Sequence, residues 1–198
     1  MKKDVDSNFV SNFINLLIYS RYYALELCAA SVEKFYLKDG DANKYRGTMP
    51  AVEDILIQLG EGLEHIHKKK LVHRDLKPEN ALIWVGPGDD GKEKVILKWA
   101  DFGLCKPTNT RGTFEISAIK GTLNWLAPEI LELYYSVNKM FPRGTVQSDV
   151  FAEGLVFSYI LLEGEHPYGV HEGDVIDNLR RNNAVNLTST LYIKFLLV

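Results

Sequence analysis

The sequence predicts a mainly helical α+β domain, and three apolar patterns carry this prediction. Apolar residues recur every three or four positions between residues 50 and 71, which is the spacing of one amphipathic helix. The stretch 150–162 is apolar on nearly every side, as expected for a helix buried in the middle of a domain. Two short apolar runs, 81–85 and 95–99, flank glycine- and aspartate-rich turn residues and therefore predict a β-hairpin.

Length and composition favour one globular unit in a reducing compartment. The 198 residues contain 46% apolar side chains, enough for one sizeable core. The net charge of −3 includes no long basic stripe, so nucleic acid is not predicted as a partner. The two cysteines have no metal-ligand spacing, which favours a cytoplasmic location. The apolar run 9–19 is too short to span a bilayer, and we interpret it as a core strand.

Three short motifs that occur in a fixed order indicate the chemistry of the chain. They read HRDLKPEN at 73–80, DFG at 101–103 and APE at 127–129. In this order they form the signature set of protein kinases, which the chain therefore resembles. The resemblance implies an α+β, mainly α, fold: a protein-kinase-like C-terminal lobe with a remnant of the N-terminal lobe and short β-hairpins at the cleft.

Phosphoryl transfer explains why these residue types are needed, because it requires a positioned acceptor hydroxyl and cations beside the phosphates. Asp75 is the candidate base for the hydroxyl proton, and Lys77 would place an ammonium near the transferred phosphate, as in serine/threonine kinases. Asn80 and Asp101 are candidate oxygen ligands for Mg²⁺. A lone loop aspartate more often caps local backbone amides, but the ordered motifs favour catalysis.

Further residues near these motifs are predicted to support the site. His73 is expected to pack in the core rather than to catalyse. Asp149 resembles a kinase aspartate that hydrogen-bonds the backbone of the catalytic loop, with a helix N-cap as the equally weighted alternative. Thr122 is expected to contact the catalytic loop, whereas Thr113 and Ser117 are preferred as phosphorylation sites.

Longer segments narrow the resemblance within the kinases. They read ELCAA at 26–30, DFGLCK at 101–106, GTLNWLAPE at 121–129 and EGEHPYG at 163–169. Together they resemble the inositol-requiring kinase and endoribonuclease family of the unfolded-protein response. This resemblance implies that ATP and Mg²⁺ bind here, with backbone groups of Glu26 and Cys28 on the adenine and Leu82 beneath it. It also implies a protein substrate or a kinase homodimer partner, and the cytosolic face of the ER membrane for a full-length sensor.

The sequence also departs from the kinase pattern. Before Tyr22 it shows no glycine-rich loop, no strand lysine and no clear helix glutamate to pair with that lysine. We therefore expect residues 1–28 to be an N-lobe remnant and hinge strand, and residues 29–198 to be a C-terminal lobe truncated at its C-terminal end. Such a chain would position phosphate incompletely and transfer it slowly. The usual arginine partner of Glu129 is also expected to be absent.

Two functions of different classes remain open from the sequence. The first is an ATP- and Mg²⁺-dependent protein serine/threonine kinase, which explains the complete catalytic loop. The second is a non-catalytic docking or dimerisation module, which explains the departures from the pattern. An endoribonuclease function is disfavoured, because it rests on family analogy alone and no nuclease domain is expected in this chain.

Overall fold

The structure is a computed structural model that describes residues 25–115, 120–135 and 143–187. Its helices are α1 (Val32–Phe35), α2 (Val52–Lys68), α3 (Pro128–Tyr135), α4 (Gln147–Leu161) and α5 (Glu172–Arg180). Its strands are β1 (Ala30–Ser31), β2 (Leu71–Val72), β3 (Ala81–Pro87), β4 (Glu93–Trp99), β5 (Lys106–Pro107), β6 (Thr113–Glu115) and β7 (Arg143–Thr145). The core strand predicted at 9–19 lies outside the described residues.

Helix α2 is the predicted amphipathic helix, with slightly shorter bounds than the apolar spacing indicated. Its buried face consists of residues three or four positions apart, namely Ile55, Leu56, Leu59, Leu63 and Ile66. Each such side chain contributes roughly 1.5–3 kcal/mol when it is fully removed from water. The helix ends at Lys68, and Lys70 then takes a positive φ of 59° that turns the chain into β2.

The predicted hairpin is confirmed and belongs to a three-stranded antiparallel sheet with the order β1-β3-β4. The hairpin register pairs Ala81 with Trp99 and Val85 with Val95. Helix α2 covers the outer side of β4, where Gln58 Oε1 accepts a hydrogen bond from the Leu97 amide at 2.7 Å. The Trp99 indole donates to the Leu59 carbonyl at 3.0 Å, so helix and strand are joined by polar as well as apolar contacts.

Helix α4 is the predicted buried helix, and it begins at Gln147 because its first turn is polar. On one side its Val156 and Ile160 join the core formed by α2 and the sheet. On another side its Leu155 packs in a second core with Leu131 of α3 and Leu179 of α5. A helix that contributes to two cores is buried nearly all round, which explains its apolar sequence.

Asp149, in the first turn of α4, connects this helix to the loop that follows β2. Its side chain is 2% exposed; Oδ1 accepts the Arg74 amide at 2.9 Å, and Oδ2 accepts the His73 amide at 2.7 Å. The same Oδ2 lies 2.9 Å from His67 Nε2 of α2. The predicted support of the HRD loop is thus confirmed. The alternative N-cap role is wrong, because Val146 occupies the N-cap position.

Glu153 lies one turn beyond Asp149 on α4, and its carboxyl group is poorly solvated. Its Oε1 atom is buried without a hydrogen-bond partner in the described part of the chain. Burial raises the pKa of Glu153 to about 7, with a further contribution from Asp149, while His67 and the Trp99 indole oppose the shift. Glu153 therefore changes charge near neutral pH beside the carboxylate that holds the HRD loop.

We expect Asp149→Asn to lower the free energy of unfolding by about 3 kcal/mol, because its amide nitrogen would face a backbone N–H donor. Urea unfolding followed by circular dichroism measures this loss. Asp174→Asn is the matched control, since Asp174 is an exposed aspartate in the first turn of α5. Equal stability of Asp149→Asn and the control would contradict the proposed anchoring.

We expect wild-type stability to fall relative to Glu153→Gln as the pH rises from 5 to 8. The native Glu153 keeps its proton up to a pKa of about 7. The unfolded side chain releases its proton near its ordinary pKa of about 4.3. Because the unfolded state binds fewer protons in this window, unfolding becomes easier as the pH increases. Urea titrations at several pH values test this, and the exposed Glu61→Gln should run parallel to the wild type. If the free energy of unfolding of Glu153→Gln also changed with pH as that of the wild type does, the raised pKa of Glu153 would be refuted.

Candidate active site

The residues predicted to carry the chemistry lie on two neighbouring segments of the fold. Asp75 and Lys77 lie in the loop between β2 and a short 3₁₀ turn, Pro78–Asn80, which leads directly into β3. Asp101 follows β4, the hairpin partner of β3. The Ala100 amide donates to the Asn80 carbonyl at 2.9 Å, so the hairpin itself brings Asn80 and Asp101 together.

The Asp75 carboxylate is held from both sides. Its Oδ1 accepts hydrogen bonds from the amide and the hydroxyl of Thr122, at 3.1 and 3.0 Å. Its Oδ2 accepts from Asn80 Nδ2 at 3.2 Å and lies 3.4 Å from Lys77 Nζ. The Asp75 side chain is 10% exposed; Lys77 and Asn80 contact it from the same loop, and Thr122 contacts it from 47 positions further along the chain. The arrangement fixes the carboxylate's orientation while leaving part of it accessible.

Lys77 and Thr122 complete this cluster. The Lys77 ammonium donates to Thr122 Oγ1 at 2.8 Å and is 20% exposed. One hydroxyl therefore accepts from the lysine and donates to the aspartate. The predicted contact between Thr122 and the catalytic loop is confirmed. Because the ammonium and the carboxylate share a partner, their separation is set by Thr122 rather than by direct contact alone.

Gly121 allows Thr122 to approach the loop this closely. Its φ is +114°, a conformation that side chains with a Cβ rarely adopt. A Cβ built there would lie 2.7 Å from the Arg74 carbonyl oxygen, well inside van der Waals contact. The glycine before Thr122 is therefore a steric requirement of the site.

Asn80 and Asp101 have the donor atoms that a magnesium ion needs. The Asn80 amide nitrogen donates to the Asp75 carbonyl at 2.8 Å, which leaves its Oδ1 oxygen as a ligand. Asp101 is exposed and takes a left-handed φ of 60°; its Oδ1 accepts the Gly103 amide at 3.2 Å, and Oδ2 has no hydrogen bond to a described residue. Across the described ranges no three His, Cys, Asp or Glu side chains form a metal cage. Two separate oxygens fit Mg²⁺, which keeps waters and phosphate oxygens as its other ligands.

His73 is fully buried beneath the cluster, as predicted for a core residue. Its Nε2 donates to the Ala100 carbonyl at 2.9 Å, and its Nδ1 accepts the Asp75 amide at 3.4 Å. Burial lowers the pKa of His73, so the ring remains neutral with its proton on Nε2. Its ring centroid lies 5.1 Å from that of Phe102 in the DFG motif. His73 thus links the HRD and DFG segments without a chemical role.

The residues implied for adenine lie at the edge of the sheet. Glu26 and Cys28 belong to an extended segment that leads into β1, and Ser31 of β1 pairs with Leu82 of β3. Leu82 is half-buried. The Glu26 side chain forms an ion pair with Lys98, the cross-strand neighbour of Leu82. Lys98 was not predicted as a site residue from the sequence, although a single lysine in the apolar run 95–99 was a signal.

Lys98 also contacts an aromatic ring. Its Nζ atom lies 4.7 Å from the centroid of the Trp84 ring. Such cation–π contacts contribute about 0.5–1 kcal/mol at exposed sites. The extended segment before β1 is therefore tied to the hairpin by the backbone pairing of β1 and by this lysine.

The remaining predictions concern two phosphorylation sites between the DFG and APE motifs, and Glu129 of the APE motif itself. Thr113, a preferred phosphorylation site, lies in β6, where its Oγ1 accepts from Asn109 Nδ2 at 2.6 Å. Ser117 lies outside the described residues.

Glu129 is exposed and has no ion pair within the described ranges, and Arg180 instead pairs with Glu132 at 3.0 Å. An exposed carboxylate needs no buried partner, so Glu129 carries no desolvation cost.

Within residues 25–115, 120–135 and 143–187, no helix combines the length and the apolar character needed to cross a membrane.

Comparisons with known proteins place these residues in a family. The protein kinase domain model matches residues 2–195. The serine/threonine-protein kinase/endoribonuclease IRE2 of Homo sapiens is 44% identical over 150 residues, which are 75% of this chain and 15% of that protein. The serine/threonine-protein kinase/endoribonuclease ire-1 of Caenorhabditis elegans is 37% identical over 153 residues, 75% of this chain and 14% of that protein.

A fungal relative gives the same result. The serine/threonine-protein kinase/endoribonuclease ireA of Aspergillus fumigatus is 33% identical over 170 residues, covering 74% of this chain and 15% of that protein. The chain thus spans about 15% of the length of these curated relatives. The family model covers nearly the whole chain, and the HRD, DFG and APE residues have the geometry described above. The chain belongs to the protein kinase family and is similar to its serine/threonine-protein kinase/endoribonuclease members.

Proposed function

We propose that this chain transfers the terminal phosphoryl group of ATP to a serine or threonine hydroxyl of a protein substrate. The observation that carries the proposal is the Asp75 carboxylate, which is oriented by Thr122 and Asn80 and lies 3.4 Å from the Lys77 ammonium. A fixed base beside a fixed cation is what phosphoryl transfer requires, because the reaction depends mainly on positioning and charge stabilisation.

In the proposed reaction Asp75 accepts the proton of the substrate hydroxyl. The hydroxyl oxygen forms a bond to the terminal phosphorus, the bond to the bridging oxygen breaks, and ADP leaves. Lys77 stabilises the negative charge on the phosphoryl oxygens during the transfer. Thr122 keeps these two groups in register, because its hydroxyl accepts from Lys77 at 2.8 Å and donates to Asp75 at 3.0 Å.

The proposed nucleotide site extends from the catalytic cluster to the sheet edge. Asn80 and Asp101 would hold Mg²⁺, which when bound neutralises phosphate charge. Backbone groups of Glu26 and Cys28 would pair with adenine, and Leu82 would supply an apolar surface beneath it. The position of Leu82 opposite Ser31 in the sheet supports this assignment, since it lies on the strand that follows Asn80 directly.

A non-catalytic docking or dimerisation module is the second candidate. Exposed large apolar side chains favour it: Leu25 and Leu27, in the segment before β1, are 86% and 90% exposed, and Phe102 of the DFG motif is 50% exposed. Exposed apolar groups of this size often mark a contact surface. The partner would be a second copy of this chain or a related kinase.

Two further assignments are part of the proposal. We propose that residues 1–28 form an N-lobe remnant with the hinge strand and that residues 29–198 form the C-terminal lobe. The family resemblance supports a cytosolic position at the ER membrane within a longer sensor. The endoribonuclease activity in the relatives' names is assigned to none of the described residues.

We expect Mg²⁺·ATP to bind the chain with a dissociation constant in the micromolar range, and Asp101→Asn to weaken binding at least about ten-fold through loss of a charged ligand. Isothermal titration calorimetry measures both values. Asp89→Asn, in the exposed hairpin turn, is the control and should bind as the wild type does. A folded chain that binds no nucleotide would favour the docking module over the kinase.

We expect Asp75→Asn to lower kcat for phosphate transfer to serine- and threonine-containing peptides by about 10²–10⁴-fold, because the amide cannot accept the hydroxyl proton. Radiolabelled phosphate transfer measures kcat, and calorimetry should show nearly unchanged Mg²⁺·ATP binding. Unchanged kcat in Asp75→Asn would exclude Asp75 as the base. Thr122→Ser, which keeps the bridging hydroxyl, is the matched control and should retain most of the activity.

A further inference from the structure

The short turn that follows Thr122 needs support from outside itself. Residues Leu123–Trp125 form a single 3₁₀ turn, and the Trp125 amide donates to the Thr122 carbonyl at 2.9 Å. Thr122 occupies the N-cap position, but its side chain does not cap the turn. Its hydroxyl is used by Asp75 and Lys77 instead. One helical turn is not stable alone in water, so its geometry depends on contacts with the rest of the fold.

His166 provides such a contact from the loop between α4 and α5. Its Nε2 lies 3.0 Å from the Asn124 carbonyl oxygen, and its Nδ1 accepts the Tyr168 amide at 3.1 Å. The second bond places the ring proton on Nε2, which therefore donates to Asn124. Burial lowers the pKa of His166 to about 4, so this neutral tautomer persists at neutral pH. The His166 ring also packs edge-on against Trp125, with centroids 4.7 Å apart.

The loop that carries His166 is itself fixed. The His166 carbonyl accepts from Asn186 Nδ2 at 2.8 Å, and the Pro167 carbonyl accepts the Asn186 amide at 3.0 Å. Tyr168 is buried in the core that also contains Leu126, the residue after the turn. His166 is thus anchored on one side and holds the turn on the other, and neither contact was anticipated from the sequence.

We propose that His166 is a positioning residue for phosphoryl transfer: its hydrogen bond to the Asn124 carbonyl fixes the turn that presents Thr122 to Asp75 and Lys77. His166 acts through Asn124 and Thr122 and does not contact the reacting groups. The inference rests on the proposed kinase function for its effect on rate. Its structural part, the link from His166 to Thr122, stands on the distances alone.

Two variants separate the hydrogen bond from the packing. His166→Phe keeps a ring against Trp125 but removes the donor, whereas His166→Gln keeps a donor that can reach the Asn124 carbonyl. His171→Phe is the control for the substitution, because His171 is exposed and its side chain forms no capping hydrogen bond at the start of α5. We expect His166→Phe to lower kcat about ten-fold and to change the KM for Mg²⁺·ATP less than about two-fold. His166→Gln should recover most of the lost kcat.

A second readout keeps the inference testable if the wild-type chain transfers no phosphate. Hydrogen–deuterium exchange of the Thr122 amide should become at least about five-fold faster in His166→Phe, while the amides of α2 stay protected and His166→Gln resembles the wild type. Wild-type inactivity would argue against the proposed function only. Unchanged kcat or unchanged Thr122 exchange in His166→Phe, or equal losses in His166→Phe and His166→Gln, would overturn the inference.

Discussion

The site depends on one buried carboxylate, that of Asp149, which accepts two consecutive backbone amides. The φ of Arg74 is +74°, a left-handed conformation that costs a residue with a Cβ about 1–2 kcal/mol. Without a stabilising contact, the Arg74 backbone would relax to a more common conformation. Asp149 Oδ1 and Oδ2 bind the Arg74 and His73 amides at 2.9 and 2.7 Å and so stabilise the strained form. Because α4 packs in two cores, the contact with Asp149 ties the position of the next residue, Asp75, to a well-packed helix.

The second constraint comes from the opposite side of the loop. Thr122 reaches Asp75 from the segment after β6, and the turn that carries it is braced by the His166 loop. Asp75 is therefore fixed by α4 through the backbone and by Thr122 through the side chain. Elements that are far apart in sequence meet at one carboxylate, which is how a short loop keeps an accessible yet oriented group.

Local patterns predicted much of this arrangement. The spacing of Leu59 and Leu63 predicted α2, and the alternation of apolar runs and turn residues predicted the β3–β4 hairpin. The HRD, DFG and APE motifs indicated Asp75, Lys77, Asn80 and Asp101 before any geometry was known. For Asp149 the sequence left two roles open, because a polar residue at the start of an apolar helix fits a cap and a loop anchor equally well.

Tertiary contacts that leave no local pattern could not be predicted. Lys98 was hidden because its partner Glu26 is 72 positions away, and His166 because its acceptor is a backbone carbonyl. The burial of Glu153 depends on how α4 meets α2 and β4, which side-chain periodicity does not give.

Gly121 limits how this chain can vary. A single methyl group at this position would lie 2.7 Å from the carbonyl oxygen of Arg74, a residue whose amide is bound by Asp149. Any residue other than glycine at position 121 would therefore move Thr122 away from the loop, because even the Cβ atom of alanine is too close to the Arg74 carbonyl. Among divergent copies of this fold, a side chain at the position of Gly121 would mark chains in which the link between Thr122 and Asp75 has been abandoned.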